Sequence, residues 1–282
     1  MAISASDVKQ LREKTGAGPA DCKKALESTN GDFAAAEKIL KEKGLAAVEK
    51  RAGRATNEGK IFIKIQNGTA VLVELAAETD FVARNPEFIA LGELVISRAL
   101  EKGYTEPNEE LANLVLELAT KIRENMGLKR LTVLKANAGE ILTQYIHGDG
   151  AIGVVVKVAA DKPEVLQSEE LKAFIFTLAL HVAAFNPVAL DRSKIDPAFL
   201  EEQSVLFRKQ IESDEATAEK PEKVREGILR GKIDKYLKSI CFLDQGYVKD
   251  EKLSVAQALS EYNKKLGAVL TIVDYIYFKV GE

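Results

Sequence analysis

In Glu74-Leu75-Ala76-Ala77-Glu78-Thr79-Asp80-Phe81-Val82-Ala83-Arg84 an apolar run stops abruptly and a large aromatic follows directly behind an aspartate. Residues 69–77 read as a buried strand, because Ala70, Val71, Leu72, Val73 and Leu75 are apolar and β-branched residues recur among them. From Glu78 the chain turns acidic and polar, which puts Phe81 at the passage from strand to helix. Strand ends and the loops after them are where a rigid scaffold displays functional side chains. An aromatic offered there can serve as a wedge into a partner. Two plain alternatives stand beside that reading: Phe81 as a core aromatic at the strand end, and Asp80 as the N-cap of a turn over Val82–Arg84.

Outward from this stretch, Lys60–Ile65, Asn67-Gly68 and Ala70–Leu75 form a hairpin with a two-residue turn signal. A helix follows, with Phe88, Leu91 and Val95 on one face. The arrangement recurs weakly: Ile141–Ile146, the turn Gly148-Asp149-Gly150, Ile152–Val158, then a helix striped by Leu171, Phe174, Leu178 and Val182. Between the copies, Leu111–Ile122 is amphipathic and Leu131–Leu134 is strand-like. The last strand, Val269–Val280, is expected to return to the second sheet.

Residues 4–44 read as three short helices. Ser4 with Asp7 makes a near capping box, Gly16 ends the first helix, Gly18-Pro19 opens the second, Asp32 caps the third and Gly44 terminates it. Residues 45–59 read as a linker, with a partly helical course left open. Residues 195–240 break the repeat, with apolar stripes on two segments (Phe199, Leu206, Ile211; Val224, Ile228, Ile233, Leu237, Ile240) around a polar middle containing Pro221. The expected fold is α+β: an N-terminal three-helix, UBA-like bundle (1–44), a linker (45–59), and two related core halves with small antiparallel sheets (60–140, and 141–194 with 241–282). An antiparallel helical hairpin (195–240) is inserted in the second half, and its outer apolar positions are expected at Phe207 and Leu229.

The chain has 282 residues, 46% of them hydrophobic, and a net charge of −3. That balance gives no sign of a nucleic-acid binder, and basic stripes interleaved with aromatics are missing. Cys22 and Cys241 lie far apart, which fits a reducing cytoplasm better than a disulfide framework. Residues 1–7 lack a basic region and an apolar core, and Ala173–Phe185 is too short and too polar for a membrane span, so neither a signal peptide nor a membrane is expected. There is no GxxxxGK[ST], no GxGxxG after a strand and no GxSxG. His147, His181, Cys22 and Cys241 show no zinc spacing. A chain without a catalytic constellation is expected to act by binding, with no cofactor and no metal of its own, and not as an enzyme.

The run from Thr79 to Ala83 resembles the TDFVA signature of the bacterial elongation factor Ts family, guanine-nucleotide exchange factors for elongation factor Tu. The segment Leu11-Arg12-Glu13-Lys14-Thr15-Gly16-Ala17-Gly18-Pro19-Ala20-Asp21-Cys22-Lys23-Lys24-Ala25-Leu26 resembles that family's LRxxTGAGxxDCKKAL pattern. The chain departs from the family at Pro19 and Ala20, where a bulky apolar pair is usual, at Ala76, usually Asn, and at Gly281-Glu282, beyond which some members continue into another helix. The resemblance implies that Phe81 enters the partner GTPase beside its Mg²⁺, with Thr79, Asp80 and Val82 shaping the tip. It implies that Tyr145-Ile146-His147-Gly148 resembles a YxHG segment whose histidine touches the partner. It also implies that Val8, Leu11 and the Gly16–Gly18 loop are contacts of the N-terminal helices. His147 as an ordinary turn residue, His181 as a core histidine and Lys23-Lys24 as a solvated face are the plain readings of those residues. The expected partner is elongation factor Tu in translation elongation, met one-to-one, with a weak homodimer or a two-plus-two complex left open. The alternative is an adaptor that binds a ubiquitin-like or peptide partner through the N-terminal bundle; it would have no use for the Thr79–Val82 tip.

Overall fold

Ser4 and Asp7 close a full capping box: the Asp7 amide donates to Ser4 Oγ (3.1 Å) and the Ser4 amide to the Asp7 carboxylate (3.0 Å). This starts α1 (Ala5–Thr15), which Gly16 ends in the left-handed region at φ 66°. Helices α2 (Pro19–Ser28) and α3 (Phe33–Arg51) complete the bundle, with Asp32 accepting from the Ala35 amide to cap α3. Leu11, Cys22, Ala25, Leu26, Ala36 and Leu40 form its core. The computed structural model describes residues 3–282, so the first two residues of the expected bundle lie outside the described residues.

Two compact units emerge, one of residues up to 135 with 146–153 and 278–282, the other of 136–145 with 154–277. In the first, Asn67 and Gly68 take φ of 50° and 70°, the pair of positive values a tight hairpin needs. They join β1 (Glu58–Gln66) to β2 (Thr69–Ala77), with Gln66 opposite Thr69. After α4 (Asp80–Ala83), α5 (Pro86–Lys102) and α6 (Glu109–Ile122), β3 (Met126–Lys135) pairs antiparallel on the other side of β2. Strand β2 is therefore central in the order β1-β2-β3, and from Ala70 to Ala77 every residue is buried. Helix α5 packs on β1 and β2 and helix α6 on β3 and α5, and Phe88, Leu91, Val95, Leu111 and Val115 from these helices join the core. The helix α5 backbone comes close enough at Gly92 that a Cβ there would sit 2.1 Å from the Phe62 ring.

Glu74 is charged yet buried in this central strand. It accepts from Arg130 Nε (2.6 Å) and from the Gly281 amide (3.1 Å), while Arg130 also donates to the Lys279 carbonyl and lies over the Phe278 ring. A buried carboxylate is tolerated only with such partners.

The expected end of the third helix at Gly44 is corrected. Helix α3 runs on to Arg51, so residues 45–51 of the expected linker are helical, and Val48 joins the first unit's main core. The reason lies in packing. Helices α3 and α6 meet at Gly44, where an added Cβ would stand 2.2 Å from Thr120 Cγ2. The glycine serves close approach and is not a stop signal.

In the second unit, β4 (Glu140–His147), β5 (Ile152–Ala160) and β8 (Leu270–Lys279) form a sheet in the order β4-β5-β8 whose first strand ends in the first unit. Helix α7 (Glu169–Phe185) buries Leu171, Phe174, Leu178 and Val182, the stripe expected from the sequence. The inserted hairpin is α8 (Pro197–Ser213) against α10 (Glu222–Ile240), with the short α9 (Glu215–Ala218) near its turn. Its expected outer positions are corrected: Leu229 is buried, and Phe207 packs edge-on against Tyr236 at 5.7 Å. The exposed apolar residues are Val205, Leu206 and Val224 instead. Residues 241–268, placed in the second core half without named elements, hold β6 (Gly246–Tyr247), β7 (Asp250–Ser254) and α11 (Val255–Leu266), which a Ser254–Gln257 capping box starts.

His181 is a core histidine. Its Nε2 is 3.0 Å from Gln245 Oε1, and its Nδ1 accepts from the Val248 amide at 3.2 Å. The neutral tautomer with hydrogen on Nε2 satisfies both contacts. Burial pushes its pKa below the ordinary 6.5, against a smaller opposing effect of the Gln245 hydrogen bond.

Two outcomes follow from this packing. Gly44→Ala is expected to lower the melting temperature: a methyl against Thr120, held in place by its hydroxyl's bond to the Leu116 carbonyl, costs about 1–3 kcal/mol. The gain in helix propensity is about 1 kcal/mol. Adding Thr120→Ser removes the clashing methyl and should restore stability above that of the single variant; thermal unfolding of the three proteins checks this. For His181 the folded pKa lies below the unfolded one, so its contribution to stability is whole above about 6.5 and is lost as pH falls through the folded value. Between pH 7.5 and 5.5 the melting temperature of wild type should fall further than that of His181→Gln.

Candidate functional site

The exposed tip grows from the end of a buried strand. Strand β2 stays in the core as far as Ala77, and the chain then leaves through Glu78 and Thr79 into the single turn of α4. Thr79 caps that turn: its Oγ1 accepts from the Val82 amide at 3.3 Å. The same hydroxyl donates to the Glu124 carboxylate at 3.0 Å. The Ala83 amide reaches the Thr79 carbonyl at 3.2 Å. The N-cap is thus Thr79 and not Asp80. Asp80 instead pairs with Arg84 across the turn at 3.2 Å, with Arg84 largely and Asp80 partly in solvent.

Phe81 is 81% exposed, well beyond every other large apolar side chain among the described residues. The reading of Phe81 as a core aromatic is therefore excluded. Helical geometry sends its neighbours the other way, and Val82 and Ala83 are buried against Phe88, Leu91 and the β2 residues. Val82 was expected at the contact surface. It is an anchor holding the turn down, and its side chain is not offered outward.

Below the tip, Glu78 accepts from the Asn125 amide at 2.6 Å and from Arg54 at 3.2 Å. These partners, the Asn125 amide first, hold its carboxyl below the usual carboxylate range against an opposing effect of burial. The Asn125 side chain in turn donates to the carbonyls of Ala52 and Arg54. Sequence reasoning missed Arg54, Glu78, Glu124 and Asn125 as the tip's support.

The turn carrying His147 belongs to the same unit as the tip. Lys60, buried on β1, reaches both the carbonyl and the carboxylate of Asp149 at 2.6 Å, and the Ile61 amide donates to the Gly150 carbonyl at 2.8 Å. Lys60, and more weakly Arg84 next to the tip, hold the Asp149 carboxyl low. His147 itself is exposed at the end of β4.

Of the N-terminal candidates, Leu11 is a correction. It is fully buried in the bundle core and cannot meet a partner. Val8 is half-buried against that core. Gly16 and Gly18 lie against α6: a Cβ on Gly16 would stand 2.6 Å from Lys121 Cγ, and one on Gly18 would lie 3.5 Å from Arg123. An ion pair between Asp21 and Arg123 (3.8 Å) crosses the same seam. Pro19 and Ala20 remain exposed. A recess of about 750 Å³ opens between α3 and α6, but its charges largely pair among themselves, as in Lys14–Glu37 and Lys43–Asp21.

Among the described residues no group of His, Cys, Asp and Glu could hold a metal ion, and no helix is long and apolar enough to cross a membrane. The distinctive feature of the site among the described residues is one exposed aromatic on a capped turn anchored in the core.

The sequence profile of the family described as Elongation factor TS matches residues 78–282, a span that includes the tip. Relatives named Elongation factor Ts extend the likeness over the bundle. One from Treponema denticola is 48% identical over all of this chain and 99% of its own length, one from Treponema pallidum is 42% identical over the same shares, and one from Borrelia hermsii is 38% identical over all of both chains. The chain belongs to the elongation factor Ts family, known as the nucleotide exchange factors of elongation factor Tu.

Proposed function

We propose that this chain binds elongation factor Tu carrying GDP and promotes GDP release by inserting the Asp80-Phe81 tip beside the partner's Mg²⁺ site, in the elongation stage of protein biosynthesis. The observation that carries this is the exposure of Phe81 on a turn whose every other apolar residue is buried. A phenylalanine in water forgoes about 1.5–3 kcal/mol that burial would return. Holding it out with Thr79, Val82 and Ala83 keeps that free energy available for a partner.

The step is displacement, with no covalent chemistry. GDP and Mg²⁺ are held in a GTPase by polar contacts that support one another, and an aromatic edge placed among them removes some and weakens the rest. By linkage, GDP lowers the affinity for the exchange factor by the same factor by which the factor lowers the affinity for GDP. GTP can then eject the factor. The Mg²⁺ belongs to the partner, and the factor brings neither metal nor cofactor. Asp80, held by Arg84, shapes the tip beside Phe81. His147, on a turn tied to β1 of the tip's unit, adds a second contact, and the bundle residues Val8, Gly16 and Gly18 lie near a third.

Phe81→Ala is expected to leave the stability within about 0.5 kcal/mol of wild type, since an exposed side chain adds little to the core. Stopped-flow release of fluorescent GDP from elongation factor Tu should slow about ten- to a hundredfold at saturating factor, the burial energy above converted to a rate. An unchanged rate contradicts the proposal. With Leu229 and Phe207 turned inward, the free protein is expected to scatter light as a monomer at low micromolar concentration and to form a one-to-one complex. A stable free dimer there would give Val205, Leu206 and Val224 an association role.

A further inference from the structure

We infer that Glu124 is a positioning residue for the tip, set on the ring of contacts that Asn125 makes beneath it. The inference rests on the exchange reading above and deepens it. Three observations meet on these consecutive residues. Glu124 receives the Thr79 hydroxyl hydrogen through both carboxylate oxygens, at 3.0 and 3.1 Å. This fixes the rotor of the one hydroxyl that caps α4, so that its lone pair faces the Val82 amide. Without Glu124 that hydroxyl is free to turn its hydrogen elsewhere, and the cap on a four-residue helix weakens.

Asn125 works on the residue before. Its amide holds Glu78 at 2.6 Å, and its side chain donates to the Ala52 and Arg54 carbonyls, just past the end of α3. Arg54 returns to Glu78 at 3.2 Å, closing a ring of Glu78, Asn125 and Arg54. Arg123 is the residue at which α6 ends, in the left-handed region at φ 69°, and its guanidinium faces Asp21 of the bundle at 3.8 Å. Arg123, Glu124 and Asn125 thus lie between the bundle seam and the backbone at Glu78 and Thr79. Neither Glu124 nor Asn125 needs to touch the partner for this.

The test uses full-length protein and two readouts. Amide hydrogen exchange at Val82 and Ala83 reports the order of the tip with no partner present. The maximal rate and the half-saturating concentration of catalysed GDP release report its use. For Glu124→Ala, exchange at these amides is expected to rise, and the maximal release rate to fall, about five- to tenfold, the effect of losing a helix cap. The half-saturating concentration should change by less than twofold. Glu124→Gln keeps an acceptor for the Thr79 hydroxyl and should recover most of both. The double variant Phe81→Ala/Glu124→Ala should release GDP no more slowly than Phe81→Ala alone, because Glu124 acts through the tip. Unchanged amide exchange in Glu124→Ala, or full additivity in the double variant, overturns the inference. If Phe81→Ala alone released GDP at the wild-type rate, the wedge reading would fail, and amide exchange would still decide whether Glu124 positions the turn.

Discussion

The bond from the Val82 amide to the Thr79 hydroxyl, with that hydroxyl committed to Glu124, is the interaction on which the exposed tip depends. An aromatic at a strand end ordinarily folds back onto the core, since burial favours it by a few kcal/mol. Here the backbone forbids that. The strand is central and fully buried, the turn after it is capped at once, and the turn's inward positions are already taken by Val82 and Ala83. Phe81 is left with the outward direction only.

The remainder of the first unit can be understood as the foundation of that turn. Strand β2 has a strand on each side and α5 packed on it, so its end is well anchored. The Glu74–Arg130 pair also ties the chain's last residues to the strand that bears the tip. The bundle reaches the same point by another route, over α6 and through Asn125. The proposed wedge calls for a support that does not recoil, and packing of this kind is what positions functional groups reliably.

What could be read from the sequence was local. The Asn67-Gly68 turn, the caps at Ser4 and Asp32, and the stripe of α7 each depend on residues a few positions apart, and each stands in the structure. The misread positions depend on contacts between distant residues. Gly44 has the composition of a stop signal, and only Thr120 across the seam makes it a packing residue. Leu11 and Val82 lie inside motifs that pointed to function, but a motif does not say which of its side chains face inward. Leu229 was placed outside because a single helix does not reveal how its partner helix is rotated. Glu124 is 45 residues from Thr79, and no spacing rule joins the two.

Linkage offers the most direct measurement. The affinity of the protein for elongation factor Tu can be determined twice, once with the GTPase free of nucleotide and once saturated with GDP, for wild type and for Phe81→Ala. If the tip acts by competing with the contacts that hold GDP and Mg²⁺, wild type binds the nucleotide-free form far more tightly, and removing the aromatic ring brings the two affinities together. If Phe81→Ala shows the same ratio of affinities as wild type, the ring is not the wedge.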